Sequence, residues 1–363
     1  MGKKAKGLGF LKRSLIKMMG RSGSEAFFSF LLPREKNDPF SFPVDTKSVK
    51  EVIVILPCAP LEVLYQLRNL VSIVSVFSHA GVTIFCERSV SSYIRMIPGL
   101  NVEEFDDEER WGFSSSFFSR MKEYSGRADL CILLDRTPDL AFLYLTGISQ
   151  APVRAGYYEA GRHPFLNIRV ISDDSNTYLP ERNLTMARLF GAKPLKIRWS
   201  VARKTSDELE QLFKEMKVSR EDNLVGVDAQ FFIRRFGKEW TGLLLEKLKN
   251  LNEGKTYLYF DDSLEDTEIE WLKSQPFPVV TELPISRTAA LVSSSKVLIT
   301  GNSILYALAS VMGTPGVGFF RDEEMKIYCP QTSTLKGILY DEIASKGSVD
   351  DVIGFVNQFI TGQ

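Results

Sequence analysis

Short apolar runs alternate with longer segments of helical periodicity along most of this 363-residue chain. The apolar runs are rich in β-branched residues and have the length of strands buried in a parallel sheet. The predicted strands are 51–56, 82–85, 102–105, 130–134, a further strand that contains Val153, and then 224–227, 257–260, 279–280, 297–299 and 317–319. Strands that alternate with helices in this way are typical of βαβ units, so the pattern predicts an α/β fold.

The strands fall into two successive groups of similar size, without an internal repeat of 20 to 50 residues. This organisation predicts two Rossmann-like domains that face a cleft. The expected segments are a basic amphipathic N-terminal segment and linker (1–47), an N-terminal domain (48–198) and a C-terminal domain (199–363).

The stretch 283–320 has the densest pattern of the chain: helix 286–293, strand 297–300, a tight turn at 301–303, helix 304–312, and a further strand. Gly313 and Pro315 are the expected stop signal for the second helix. A turn between a strand and a helix N-terminus presents backbone N–H groups and favours a phosphate or diphosphate. The alternative is an ordinary strand-turn-helix connection that binds nothing.

This stretch resembles the C-terminal signature of the ADP-heptose:lipopolysaccharide heptosyltransferases, glycosyltransferases of the two-domain GT-B fold. Their strand runs into G-N-D-[ST]-G-P-x-H, a helix A-A-x-x-G-T-P follows, and the next strand ends in Phe. Gly301-Asn302 and Met312-Gly313-Thr314-Pro315 match. Ser303 stands where the family has Asp, the Gly-Pro pair is absent with one residue deleted, and Ala307 falls where the His would be.

The resemblance extends over roughly residues 52–330. Ala128-Asp129-Leu130 is similar to the family's Y-D-L strand entry. Leu145-Thr146-Gly147, followed by Arg154-Ala155-Gly156-Tyr157, is similar to its L-T-G and R-I-G-[FY] segments.

Glu62 is the candidate catalytic residue that the resemblance implies. The family has G-D-[VIL] after its first strand, with the Asp taken as the base for the acceptor hydroxyl, and this chain has Leu61-Glu62-Val63 there. A base in this position would be tuned by burial. The alternative is that Glu62 simply stabilises a helix N-terminus through the helix dipole.

The resemblance also implies a donor phosphate site, formed by Arg234, Arg235, Lys238, Asn302 and Ser303. The family has K-R-W where this chain has Arg-Arg-Phe at 234–236. Cations there would stabilise the charge that develops on a leaving diphosphate, and Arg offers a bidentate grip. The alternative is a solvated basic start of a helix.

Composition and charge restrict the remaining possibilities. The chain is 44% hydrophobic and 25% charged, which is typical of a globular protein. Four widely spaced cysteines and two histidines, His79 and His163, predict neither a disulfide framework nor a zinc site. Both histidines are expected to be structural or exposed. The charge cluster 106–110 is expected to be a solvated loop.

Residues 1–21 contain seven basic residues and no acidic one, with leucine and methionine at helical spacing. This pattern predicts an amphipathic helix on a membrane surface, and a solvated basic tail is the alternative. The rest of the chain is acidic, because the whole has no net charge. Nucleic acid is therefore not an expected partner.

Together, the residues and the resemblance imply a bacterial, inverting glycosyltransferase on the inner face of the cytoplasmic membrane. It would need no cofactor or metal. Its expected partners are a nucleotide-diphosphate sugar and a lipopolysaccharide or other envelope glycan acceptor. Two alternatives stay open: a catalytically inactive relative that acts as a binding or scaffold component, and a sugar-nucleotide epimerase of the same architecture.

Overall fold

The computed structural model describes residues 41–111, 115–158, 165–172, 177–195, 197, 203–219, 222–252, 255–260, 264–281, 283–330, 332–340 and 346–361. The basic segment 1–21 and His163 lie outside the described residues, so the predictions made for them stay predictions. By its contacts, the chain divides into two compact units. Unit 1 comprises Met1–Arg95, Gly99–Asp173 and Arg182–Lys196, and unit 2 comprises Met96–Pro98, Asp174–Glu181 and Ile197–Gln363.

Unit 1 contains a six-stranded parallel sheet in the order β3-β2-β1-β4-β5-β6. Its strands are β1 Glu51–Ile55, β2 Gly81–Glu87, β3 Asn101–Phe105, β4 Leu130–Leu133, β5 Val153–Tyr157 and β6 Ile168–Val170. The helices that connect or follow them are α1 Pro60–Val76, α2 Arg88–Arg95, α3 Asp107–Trp111, α4 Ser115–Lys122, α5 Leu140–Ile148 and α6 Leu179–Leu189.

Unit 2 repeats this plan with the order β12-β11-β10-β7-β8-β9, again all parallel. Its strands are β7 Val225–Asp228, β8 Thr256–Phe260, β9 Val279–Thr281, β10 Val297–Gly301, β11 Gly316–Phe320 and β12 Leu335–Leu339. Its helices are α7 Arg203–Met216, α8 Ala229–Asn252, α9 Asp266–Lys273, α10 Ile285–Ser294, α11 Ile304–Met312, α12 Asp322–Tyr328 and α13 Lys346–Thr361.

The central strands are buried along their whole length, because helices cover both faces of each sheet. Every residue of β4, β7, β10 and β11 is buried, which is why the sequence shows them as continuous apolar runs rather than alternating ones. In parallel sheets all strands end at the same edge. The loops after β1 and β4 in unit 1, and after β7 and β10 in unit 2, are therefore neighbours.

The predicted α/β fold with two Rossmann-like sheets is confirmed. The sequence pattern did not predict several elements: the short strands β6 and β12 and the polar helices α7, α9 and α12. The helix that begins near the basic residues 234–235 is α8, Ala229–Asn252, and it is kinked at Gly237, which has φ 80° and ψ 175°. As expected, Gly313 ends α11 in the left-handed conformation, with φ 77°.

The expectation of a solvated loop at 106–110 was wrong. Residues Asp107–Trp111 form α3, and the side chain of Arg110 is buried, with 9% of its surface exposed. Its guanidinium pairs with the carboxylates of Asp107 and Asp139 and lies 5.2 Å from the ring centre of Phe142. A dense charge cluster usually indicates a solvated surface, but these opposite charges neutralise one another and allow Arg110 to be buried.

Within the described residues, no helix is both long enough and apolar enough to cross a membrane.

Candidate functional site

In unit 1, polar side chains collect where β1 and β4 end. The two strands are adjacent, and Ile55 pairs with Leu133 at their carboxyl ends. Glu62 follows β1 and lies in the first turn of α1, where its side chain is exposed. Asp135 follows β4 by two residues. In open α/β sheets this edge is the usual place for a ligand.

Both carboxyl groups have raised pKa values. Nearby protein atoms exclude part of the solvent around Glu62, and this raises the pKa of its carboxyl although one side of the residue faces water. Burial raises the pKa of Asp135 to about 7, and the negative charges of Glu62 and Asp139 add to the effect. The hydrogen bond from the Thr137 backbone and the positive charge of Arg110 oppose it.

The carboxylate of Asp135 is held at one oxygen only. Its Oδ1 accepts a hydrogen bond of 2.8 Å from the backbone N–H of Thr137, the one hydrogen bond that it makes with the described residues. The residue keeps 9% of its surface exposed. A buried carboxyl whose pKa is shifted toward neutrality is typical of functional sites.

The positive charge of Arg110 acts on Asp135, but its guanidinium is already engaged with other carboxylates. It forms ion pairs with Asp107 and Asp139. Asp139 in turn caps α5, with its Oδ1 accepting a 3.0 Å hydrogen bond from the N–H of Phe142. Arg110 therefore forms its ion pair with Asp139 and not with Asp135.

A buried hydrogen-bond network fixes α1 against the loop that carries Asp135. Gln66, one helical turn after Glu62, donates its amide to the carbonyl of Leu134 at 2.7 Å. Asn69 donates to Oε1 of Gln66 at 2.9 Å and to the hydroxyl of Tyr157 at 3.1 Å. Asn183 of α6 completes the set: it accepts from the Tyr157 hydroxyl at its carbonyl, at 3.0 Å.

Arg136, the residue after Asp135, joins the same network. Its Nε donates to Oδ1 of Asn183 at 3.0 Å, its Nη1 donates to Oγ of Ser172 at 3.0 Å, and its guanidinium lies 4.2 Å from the ring centre of Tyr157. The residues on both sides of Asp135, Leu134 and Arg136, are therefore held by polar contacts. Such a network, when its members are satisfied, makes a region rigid.

In unit 2, a hydrogen-bond relay links the ends of β7 and β10. Ile299 pairs with Val227, so the next residues, Thr300 and Asp228, are also neighbours. The hydroxyl of Thr300 donates to Oδ2 of Asp228 at 2.7 Å. Thr300 and Ser303 are 2.8 Å apart at their hydroxyl oxygens.

The direction of this relay follows from counting hydrogens. A hydroxyl has one hydrogen, and Thr300 donates its own to the carboxylate of Asp228. Ser303 must therefore donate to Thr300. Its oxygen also accepts a hydrogen bond of 3.2 Å from the N–H of Leu305 and so caps α11. In this arrangement, the hydroxyl hydrogen of Ser303 is already used within the protein.

The other two residues of this loop have distinct surroundings. A Cβ atom added to Gly301 would lie 2.1 Å from the ring of Phe231, so only glycine fits there. The side-chain oxygen of Asn302 is buried and has no hydrogen-bond partner among the described residues. An acceptor in this state is costly unless a donor from elsewhere reaches it.

The three basic residues predicted near this loop lie on α8, on either side of the Gly237 kink. Arg234 is exposed. The guanidinium of Arg235 lies over the ring of Tyr340, 4.7 Å from its centre, and Tyr340 contacts Phe231, the residue packed on Gly301.

Lys238 makes its contact away from the Asn302–Ser303 loop. Its ammonium donates to the carbonyl of Thr267 at 3.0 Å, in α9 after β8, whereas Ser303 follows β10 on the other side of β7. The aromatic contacts thus connect Arg235 with the Gly301 loop, and Lys238 makes its hydrogen bond on the opposite side.

Sequence reasoning singled out Glu62, Asn302 and Ser303 but missed Asp135, Asp139, Arg110 and Asp228. The sequence could have indicated the acidic residues among them, because an acidic residue comes directly after a predicted buried strand in the segment 134–139 and at Asp228.

His79, expected to be structural or exposed, is exposed. The described residues contain no group of three or more His, Cys, Asp or Glu side chains that could hold a metal ion.

Comparison with known proteins identifies the fold. No protein-family model and no curated protein sequence matches the chain. A glycosyltransferase family 9 structure from Veillonella parvula DSM 2008 is similar with a TM-score of 0.69 and 15% identity, over 86% of this chain and 98% of that one. The ADP-heptose lipopolysaccharide heptosyltransferase II of E. coli is similar with a TM-score of 0.64 and 15% identity, over 86% and 98%.

A structure of a putative UDP-N-acetylglucosamine 2-epimerase from Listeria monocytogenes also matches, with a TM-score of 0.52 and 12% identity, over 87% of this chain and 91% of that one. At such identities the likeness concerns the fold. The chain has the GT-B fold of heptosyltransferase-like proteins, which confirms the resemblance seen in its sequence.

Proposed function

We propose that this protein is an inverting glycosyltransferase. It would transfer a sugar from a nucleotide-diphosphate sugar, such as ADP-heptose, to a cell-envelope glycan such as lipopolysaccharide, with inversion at the anomeric carbon. The observation that carries the proposal is the carboxyl cluster of Glu62 and Asp135, with pKa values raised toward neutrality, at the ligand-binding edge of a sheet. The fold shared with heptosyltransferases supports it.

In this reaction the acceptor hydroxyl loses a proton as its oxygen attacks the anomeric carbon, and the nucleoside diphosphate leaves with the electrons of the broken C–O bond. A carboxylate in unit 1 would accept that proton. Groups in unit 2 would stabilise the diphosphate.

The donor site would consist of the Asn302–Ser303 loop, the N-terminus of α11 and Arg235. The N–H groups at a helix N-terminus suit a diphosphate. The unpartnered oxygen of Asn302 suits a hydroxyl of the donor's ribose or sugar. Because the Ser303 hydroxyl is engaged with Thr300, we expect it to serve chiefly as the cap of α11.

The experiment is a calorimetric titration of the purified protein with ADP-sugars and UDP-sugars. We expect one of them to bind with micromolar affinity, and Arg235→Ala to weaken binding about tenfold or more, because a charge-assisted contact to phosphate contributes on the order of 1.5–3 kcal/mol. Lys238→Ala should weaken it less, because its ammonium is bound to Thr267.

Lys249→Ala is the matched control, since Lys249 is an exposed cation on the same helix. It should leave the affinity unchanged. If no nucleotide sugar binds to the wild-type protein, the transferase proposal is wrong.

A second candidate is a non-catalytic binding component of envelope polysaccharide assembly. The hydrogen bonds from Ser303 through Thr300 to Asp228 favour this candidate. They place the carboxylate of Asp228 two hydrogen bonds from the loop that would receive the diphosphate, where its negative charge would oppose the charge of the diphosphate. Binding of a nucleotide sugar without release of the nucleoside diphosphate, in the presence of envelope glycan acceptors, would support this candidate over the enzyme.

A further inference from the structure

Asp135 and Glu62 occupy neighbouring loops at one edge of the unit 1 sheet. The strands before them, β4 and β1, are adjacent and parallel. Gln66 lies one turn after Glu62 on α1, and its amide holds the carbonyl of Leu134, the residue before Asp135. The two carboxyl groups are therefore parts of one rigid arrangement, and they are close enough for the charge of Glu62 to act on Asp135.

The titratable or charged groups that act on Asp135 among the described residues include four from different elements. They are Cys58 in the loop after β1, Glu62 on α1, Arg110 on α3 and Asp139 at the start of α5. Arg110 is committed to its two carboxylate partners, and burial raises the pKa of the Cys58 thiol far above its ordinary value, so it stays neutral. Among the described residues, Asp135 therefore forms no ion pair.

We propose that Asp135 is the catalytic residue that accepts the proton of the acceptor hydroxyl, and that Glu62 is a positioning residue that keeps Asp135 basic through its negative charge. This inference rests on the proposed transferase function. The O–H bond of the acceptor breaks and its proton goes to the open carboxylate oxygen of Asp135. The acceptor oxygen forms a bond to the anomeric carbon, and the nucleoside diphosphate leaves with the electron pair of the old glycosidic bond.

The two carboxyl groups differ in their fitness as a base. Glu62 is exposed on one side and lies in the first turn of a helix, so water and the helix dipole stabilise its charge and oppose the rise in pKa that solvent exclusion causes. Asp135 is buried, has one oxygen free of hydrogen bonds from the described residues, and has a pKa of about 7. A general base works best when its pKa is near the working pH.

The test measures release of ADP or UDP from the corresponding ADP-sugars and UDP-sugars, with water as acceptor, between pH 5 and 9. Wild-type, Asp135→Asn, Glu62→Gln and the control Glu108→Gln are compared as full chains. For the wild type we expect kcat to rise with an apparent pKa near 7. In Asp135→Asn, kcat should fall about 10²- to 10⁴-fold and lose this pH dependence, while KM for the nucleotide sugar stays the same.

Glu62→Gln should keep most of its turnover, and its pH profile should shift to lower pH, because one negative charge near Asp135 is gone. This variant decides the matter even if Asp135→Asn does not fold. Glu108 is exposed on α3, and Glu108→Gln should behave as wild type.

Two results would overturn the assignment of Asp135 alone: wild-type kcat and pH profile in Asp135→Asn, or loss of turnover in Glu62→Gln without a shift of the profile. A wild type that binds a nucleotide sugar but releases no nucleoside diphosphate, with envelope glycan acceptors present as well as water, would overturn both the assignment and the transferase. An inactive wild type that binds none would remove the donor site as well.

Discussion

At the scale of single residues, the most informative feature is the carboxyl group of Asp135. Its pKa is determined by its surroundings in the fold and not by its neighbours in the sequence. Asp135 stands in an ordinary loop sequence. Its pKa depends on burial and on Glu62 and Asp139, and the charge of Glu62 reaches it only because β1 and β4 are adjacent in the sheet. The resemblance to a family could indicate Glu62, Asn302 and Ser303, because those positions lie inside its motifs. It could not indicate a residue outside them.

The raised pKa of Asp135 has a consequence for stability. The folded protein holds this proton up to about pH 7, whereas the unfolded chain releases it near 3.8. Between these two values the folded state binds more protons, so the contribution of Asp135 to the free energy of unfolding decreases as the pH rises. The total decrease is on the order of 4 kcal/mol, at about 1.4 kcal/mol per pKa unit.

Asp135→Asn should remove this dependence. The variant should gain stability relative to the wild type on going from pH 4 to pH 8, as measured by chemical denaturation at several pH values. Glu108→Gln serves as the comparison and should show no such trend. If the difference in the free energy of unfolding between Asp135→Asn and the wild type stays constant from pH 4 to pH 8, Asp135 is not buried as described.

At the scale of elements, α8 contains two glycines with opposite roles. Gly237 has φ 80° and kinks the helix, with nothing within 4 Å of the place where a Cβ would be. Gly242 lies in the regular part, and a Cβ there would meet Trp271 at an ordinary 3.7 Å. The sequence predicted the helix but not its kink, because Gly is permitted in both conformations.

We therefore expect Gly237→Ala to destabilise the protein by about 1–3 kcal/mol, because a positive φ with ψ near 180° is essentially restricted to glycine, and Gly242→Ala to stabilise it by about 0.5–1 kcal/mol. Thermal unfolding of both variants measures these effects. The unfolding temperature should fall for Gly237→Ala and rise for Gly242→Ala. Equal changes of the unfolding temperature in the two variants would mean that α8 is continuous through Gly237.

Elements were predicted well where an apolar run was long and fully buried, as in β1, β4 and β10. They were missed where the signal was weak. The strand β6 has three residues, and the first turns of α9 and α12 are strongly acidic, so their sequences have little apolar periodicity. For α3 the error came from treating charge as evidence of solvent exposure, although Arg110 is buried through its ion pairs.

At the scale of the whole molecule, charge is distributed unevenly along the chain. Residues 1–21 carry seven basic residues and no acidic ones, and the rest balances them. We propose that this segment attaches the protein to anionic membranes. Each Lys or Arg near such a surface contributes about 1 kcal/mol, and salt screens the attraction.

Co-sedimentation with vesicles tests this. The full chain should sediment with vesicles that contain phosphatidylglycerol at low salt, and should be released by about 0.5 M salt, where the screening length falls well below 8 Å. Deletion of residues 1–24 should abolish sedimentation, and vesicles of phosphatidylcholine alone should bind the full chain much more weakly. Equal binding of the truncated protein would locate the membrane contact elsewhere or exclude it.

The buried network in unit 1 also restricts how this protein can diverge. The side chains of Gln66, Asn69 and Tyr157 form hydrogen bonds with one another, and each is at most 3% exposed. Losing one partner would leave the others buried and unsatisfied, at a cost of about 1–3 kcal/mol for each group. Homologous sequences should therefore show co-variation at these three positions: they should stay polar together or become apolar together, and a relative with a single apolar replacement should be rare.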